Sequence, residues 1–256
     1  MKIVACIKQV PDSAAKVVAQ DGQVSWGDAP LVINPWDEFA VEAALQQKEA
    51  HGGEVIAVSM GGESAKEALK HALAMGCDSA ILISDPALGG VDTQGTARVL
   101  AAAIQKVGGV DLAFFGRQAI DGDAGITPAQ TARVLGWPML GLAAVIKVDG
   151  SKVTVERSIE EGRQTVSAEA PAVLSVVKDF GEPRYPSFMG IRKASRADIP
   201  AWTLADLGIS APAPVVAWPE LMNPPSREVA CEFITGGSPA EIAEKLADKI
   251  IAEKVL

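Results

Sequence analysis

Short apolar runs alternate with stretches whose apolar positions recur three and four residues apart, and this alternation fills the first half of the chain. The runs read as strands buried on both faces, and the stretches read as helices with one apolar face. Lys2 to Val10 is the first run, ended by Pro11-Asp12. Asp21-Gly22 marks a turn, and Leu31 to Ile33 is a short apolar segment. Asn34-Pro35 opens a helix, with Asn at the N-cap, Pro at the first helical position, and Asp37 and Glu38 in the first turn. Gly52-Gly53 stops it. Strands follow at Glu54 to Ser59, Ala80 to Ile83 and Val110 to Phe115. Helices follow at Glu63 to Met75, from the cap Asp92 to Val107, and at Pro128 to Leu135. A β-α repeat of this kind predicts a parallel sheet covered on both faces.

After Trp137-Pro138 the pattern changes. Leu140 to Val148, Lys152 to Ile159, Gln164 to Ala168 and Ala172 to Val177 read as strands with no helix between them, and Asp149-Gly150 is a hairpin signal. Antiparallel strands are therefore expected to finish the domain. From Gly181 onward, prolines at 200, 212, 214, 219, 224 and 225 break any long element, yet Trp202, Leu204, Val215, Val216, Trp218 and Met222 keep the stretch apolar. An extended arm of this composition is expected to bury its apolar side chains on something. A last helix, Pro239 to Glu253, carries a capping box in Ser238 and Glu241. The expected fold class is α/β: a mostly parallel, doubly wound sheet with helices on both faces, added antiparallel strands and an extended C-terminal arm. The expected division is a nucleotide-binding domain over residues 1–180 and a recognition loop with the arm over 181–256.

Charge and cysteine usage narrow the function. The 256 residues carry a net charge of −9, which repels phosphate backbones and argues against nucleic acid as a partner. Cys6, Cys77 and Cys231 lie far apart and form no CxxC pair, so they read as small core or site residues in a reducing compartment. The start, MKIVACIKQV, reads as a strand and not as a signal peptide, and no apolar stretch is long enough to span a membrane. A cytoplasmic location is expected. His51 and His71 lie on helices with no pattern of Cys, Glu or Ser that suggests a metal site or a triad, and no catalytic constellation is evident.

The densest set of hydrogen-bonding groups is Gly116 to Thr127, which directly follows an apolar strand and precedes a helix. Ligands of open α/β sheets bind just beyond the carboxyl ends of strands, and free amides at a helix N-terminus suit a phosphate. Gly122 and Gly125 are expected to supply positive φ there. The two-residue spacing of Asp121 and Asp123 suits turns and ligand hydroxyls better than acid–base catalysis.

GRQAIDGD followed by a Thr, VACIKQVPDS near the start, INPWDEFAVEAAL, and PRYPSFMGI stand in the same order as in the electron-transfer flavoprotein β subunit, which the chain resembles over nearly its whole length. The resemblance implies electron transfer as part of an α/β heterodimer, to or from acyl-CoA dehydrogenase-type flavoenzymes and a quinone reductase or ferredoxin. It implies an FAD held mainly by the α subunit and an adenine nucleotide, FAD or AMP, at this chain's own sheet edge. The nucleotide-contacting positions it implies are Cys6, Asn34, Pro35, Trp36, Asp37, Met60 and the loop Gly116, Arg117, Gln118, Ala119, Ile120, Asp121, Gly122, Asp123, Ala124, Gly125, Ile126 and Thr127. Gly89-Gly90 followed by Asp92, Thr93 and Thr96 is similar to the electron-bifurcating branch, in which the nucleotide is a second FAD reduced by NADH, and FAD is the expected ligand. Arg184, Tyr185, Phe188 and Met189 are expected to face partners, with Phe188 and Met189 in a loop, and the arm is expected to cross the α subunit. Two other classes fit the sheet pattern. An ATP- or AMP-binding module of universal-stress-protein type would lack the apolar arm. An adenylating enzyme would need a Ser/Gly loop where Lys8-Gln9-Val10-Pro11 stands.

Overall fold

A computed structural model describes residues 1–20, 22–217, 220–225 and 231–254. Asp21 of the expected turn, and Trp218 and Pro219 of the expected arm, lie outside them. The elements in order are β1 (Lys2–Ile7), β2 (Gln9–Pro11), β3 (Val18–Gln20), β4 (Gln23–Ser25), β5 (Leu31–Ile33), α1 (Pro35–His51), β6 (Glu54–Met60), α2 (Lys66–Met75), β7 (Ser79–Ile83), α3 (Thr93–Val107), β8 (Leu112–Gly116), α4 (Thr127–Leu135), β9 (Met139–Asp149), β10 (Lys152–Ile159), β11 (Gly162–Glu169), β12 (Ala172–Val176), α5 (Phe188–Ala194), β13 (Ala201–Trp202), α6 (Leu204–Leu207) and α7 (Pro239–Ala252).

One sheet of nine strands, in the order β11-β10-β9-β12-β8-β1-β6-β7-β13, organises the first compact unit, Met1–Leu221. β1 pairs in parallel with β6 on one side and β8 on the other, so the strand order reverses at β1. Two apolar layers result. One face packs Ile3, Val41, Leu45, Leu69 and Phe114 against α1 and α2, and the other packs Val4, Val58, Leu100, Ile104 and Phe115 against α3. Alternate residues of β1 and β8 thus serve opposite faces, as the period of a strand dictates.

Three sequence expectations change. The run read as one strand to Val10 breaks at Lys8. β2 leaves the large sheet and pairs antiparallel with β5, because the Lys8 amide turns to the carboxylate of Asp37 at 2.7 Å. The last domain strand is not antiparallel: β12 inserts between β8 and β9, parallel to both. Its five residues are all buried, and a strand buried on both faces is stable only inside a sheet; β9, β10 and β11 form the antiparallel meander that was expected. The compact unit also runs beyond residue 180. β13 adds a parallel strand to β7, Ala194, Ile199 and Leu204 are buried, and α5 lies so close to α2 that a Cβ on Gly190 would stand 2.2 Å from the Ala74 carbonyl oxygen.

The second unit, Met222–Leu256, contains α7. Ser238 and Glu241 form the expected reciprocal capping box, and Lys249 pairs with Glu232. No side chain of α7 is buried, and Ile251 and Phe233 are exposed.

Candidate functional site

β1 and β8 lie side by side, and both end at the edge where the strand order reverses. Beyond their carboxyl ends is a cavity of about 320 Å³. A topological switch point is where open α/β sheets bind ligands, because the two diverging connections leave a crevice between them. Cys6 and Phe115 line the cavity at the strand ends, Met60 at the end of β6, and Asp92, Thr93 and Thr96 at the start of α3. The β8–α4 loop closes the other side with Gly116, Gln118, Ala119, Asp121, Gly122, Asp123, Ala124, Gly125 and Thr127. A larger and more open hollow of about 460 Å³ lies along the β3–β4 hairpin, and among the described residues no charged side chain lines it.

Asp37 also reaches this wall, from the first turn of α1. One carboxylate oxygen accepts from the Lys8 amide at 2.7 Å and the other from the Gly116 amide at 3.2 Å. The ends of β1 and β8 are thereby tied to one buried side chain, and burial pushes the pKa of that carboxyl up to about 7 against the hydrogen bonds that lower it. Gly116 permits this approach: a Cβ there would stand 2.4 Å from Asp37 Oδ1 and 2.6 Å from the Trp36 carbonyl. Gly125 and Asp123 have positive φ, as a tight loop demands. Gly122 does not, and nothing lies within 4 Å of where its Cβ would stand, so the expected strain falls on Gly125 and Gly116 instead.

Asn34 does not cap α1 with its side chain. It is fully buried, donates to the Gln118 carbonyl at 2.8 Å and accepts from the Ile120 amide at 3.2 Å, and so holds the loop from beneath. Pro35, Trp36, Arg117, Ile120 and Ile126 likewise stay off the cavity wall; the Arg117 guanidinium lies 5.6 Å from the ring centroid of Trp36. Asp92 caps α3 through Gly95 and accepts from the amides of Val215 and Val216, so at this end the Thr93 and Thr96 hydroxyls are the groups left for a ligand. α4 begins at the cavity, and its N-cap, Ile126, offers no side-chain acceptor to the first-turn amides. Such amides suit an anion.

Lys8 is the wall residue that the sequence reading left out. Its ammonium spans to the loop and holds Asp121 at 2.6 and 2.8 Å. The available signal was a lysine closing an apolar strand just before the chain leaves the sheet. Ile7, Val91, Leu100 and Pro128 also line the cavity, and apolar packing disguised them as core.

Cys6 brings a thiol to the cavity wall. Burial drives the Cys6 thiol far above its ordinary range, and the charge of Asp37 adds to the effect; burial pushes Cys77 up to about 12. Cys231 is exposed. The folded chain should therefore yield one fast thiol to an aromatic disulfide reagent, and three after denaturation. A second fast thiol would show that Cys6 or Cys77 is open to solvent and ionised. Among the described residues, no group of three or more His, Cys, Asp or Glu could hold a metal ion, and no helix is long and apolar enough to cross a membrane.

Fold and cavity together define a doubly wound α/β protein with a crevice at its switch point. The sequence model of the electron transfer flavoprotein domain matches residues 24–207. The chain is 38% identical to a caffeyl-CoA reductase–Etf complex subunit, CarD, of Acetobacterium woodii, and 37% identical to an electron transfer flavoprotein subunit beta of Megasphaera elsdenii. It is 34% identical to the acryloyl-CoA reductase electron transfer subunit gamma of Anaerotignum propionicum. Each comparison covers 100% of both chains. The chain belongs to the electron transfer flavoprotein family, and its likeness is to the β subunits.

Proposed function

We propose that this chain, joined to an α subunit, carries electrons between acyl-CoA dehydrogenase-type flavoenzymes and a quinone reductase or ferredoxin, and that its switch-point cavity holds an adenine nucleotide. The cavity itself carries the reading. Cys6, Met60, Leu100 and Phe115 offer an apolar surface to a purine, while Lys8, the α4 amides and the threonine hydroxyls offer partners to phosphate and sugar. FAD is the nucleotide favoured, because the crevice continues from the loop to Thr93 and Thr96, farther than a single phosphate requires. Bound there, FAD would supply redox chemistry, and with it NADH-linked bifurcation. The chain's own residues bind and orient it.

Two surfaces fit the partners. Tyr185, Phe188, Met189 and Ile191 are exposed beside Arg192 and Lys193, although Phe188 and Met189 open α5 under a Ser187 cap and do not lie in a loop. Exposed aromatic and thioether groups suit docking to a dehydrogenase. The unburied apolar side chains of α7 suit an α subunit.

Purified heterodimer titrated with FAD tests the ligand. Two flavins per dimer are expected. One flavin per dimer, with AMP released on denaturation, would replace FAD by AMP in this site. Absence of both from the β site would remove the nucleotide reading.

A further inference from the structure

We infer that Lys8 is the residue that recognises the nucleotide's phosphate, and that Asp121 holds the Lys8 ammonium until that phosphate takes its place. This rests on the nucleotide reading above and assigns the charge recognition within it. Among the described residues lining the cavity, Lys8 is the one cationic side chain, and four carboxylates share the same wall. Three of the four have other partners: Asp37 binds the Lys8 and Gly116 amides, Asp92 binds the Gly95, Val215 and Val216 amides, and Asp123 accepts from the Gln118 side chain at 2.7 Å. Asp121 alone is matched to the lysine, through both oxygens.

The main chain of Lys8 is fixed on both sides. Its amide donates to Asp37 and its carbonyl accepts from the Asn34 amide at 2.8 Å. Its side chain is 49% exposed, while that of Asp121 is 19% exposed. A lysine with a fixed root and a half-exposed ammonium can change partners without moving the sheet. Lys carries a compact point charge on a flexible stem, which suits the exchange of one oxyanion for another.

The exchange is a competition between anions. A phosphate that approached the wall with Lys8 still paired would meet Asp121 and Asp123 with no free cation. Once Lys8 turns to the phosphate, Asp121 loses its only charged partner and moves toward solvent at the mouth. Asp121 therefore tunes affinity downward, and Lys8 sets selectivity for a phosphorylated adenosine over adenosine itself.

Calorimetric titration of the nucleotide-stripped heterodimer with AMP, and separately with adenosine, tests this. Lys8→Gln should weaken AMP about tenfold and leave adenosine unchanged, the size expected for one charge-assisted contact. Asp121→Asn should tighten AMP by a smaller factor, again with adenosine unchanged. Lys8→Arg keeps the charge and should recover most of the AMP affinity, which separates charge recognition from damage to the fold. An unchanged ratio of AMP to adenosine affinity in Lys8→Gln would overturn the inference while leaving the nucleotide site standing. A wild-type complex that binds neither AMP, adenosine nor FAD in this chain would overturn both.

Discussion

Replacing Asp37 by Ala should destabilise the protein by about 2–3 kcal/mol and weaken the nucleotide binding proposed for the switch-point cavity, because it strands one buried and one part-buried amide, and a buried group left unpaired costs about 1–3 kcal/mol. The amides belong to Lys8 and Gly116, the residues at which β1 and β8 run out of the sheet. Asp37 also stands in the first turn of α1, where negative charge is favoured by the helix dipole. The loss should thus loosen both walls of the cavity and the start of one helix. The same carboxyl has a pH signature. Its pKa is raised to about 7 by burial, from the ordinary value near roughly 4. The folded state then binds a proton that the unfolded state has released, so this group's contribution is fully present below about pH 4 and is lost as pH rises to about 7. Urea midpoints of wild type and Asp37→Asn, compared between about pH 5 and pH 8, should show wild type losing ground with rising pH relative to the variant. An Asp37→Ala protein that melts with wild type and matches it in binding the proposed nucleotide would mean that neighbouring groups satisfy both amides.

Much of this was legible in the chain. The runs at β1, β6, β7 and β8 are apolar on both faces, and the Gly and Asn-Pro signals between them mark helix ends, so the parallel core follows from period and punctuation alone. The place of β12 was not legible, because a short, mostly apolar run after a meander looks the same whether it extends the meander or returns to the centre; only the vacancy between β8 and β9 decides it. At the site, the loop from Gly116 was visible as a polar island, but its supports were not. Asn34 and Asp37 read as helix-start residues, and nothing local says that their side chains reach across to Gln118, Ile120 and Gly116. Lys8 was missed for the same reason. Its meaning comes from Asp121, far along the chain, and long-range pairing leaves no periodic trace.

The packing of residues 181–207 shows how one polar anchor can set a whole surface. Replacing Arg184 by Ala should cost about 2–3 kcal/mol and, with a dehydrogenase of the proposed class as partner, raise the KM of the complex while leaving kcat little changed. The side chain forks over α1. Its Nε donates to Glu42 Oε2 at 2.7 Å and its Nη2 to Glu42 Oε1 at 3.1 Å, while Nη1 and Nη2 hold Glu49, about two helical turns further on. The Arg184 amide also donates to Glu42 at 3.1 Å. Glu42 is buried, so the variant leaves it with Gln46 as its remaining side-chain donor. Breaking a buried pair costs about 3–5 kcal/mol, and the figure falls here because Arg184 is a third exposed and Glu49 more so. Burial alone would raise the Glu42 pKa, but the hydrogen bonds from Arg184 and Gln46 outweigh it and hold the carboxyl below its ordinary range. The pair's contribution is therefore present above the ordinary glutamate pKa and is lost as pH falls through the lower folded value, so the variant should lose part of the wild type's acid-side decline. The functional effect comes from position. Arg184 precedes Tyr185 and the exposed Phe188 and Met189 at the start of α5, and it fixes the strand of chain that aims them. Arg184→Lys keeps the charge but not the fork, and should restore part of the stability and less of the KM. An alanine variant with lower melting temperature but an unchanged KM would show that α2 alone orients α5, and would confine Arg184 to holding Glu42.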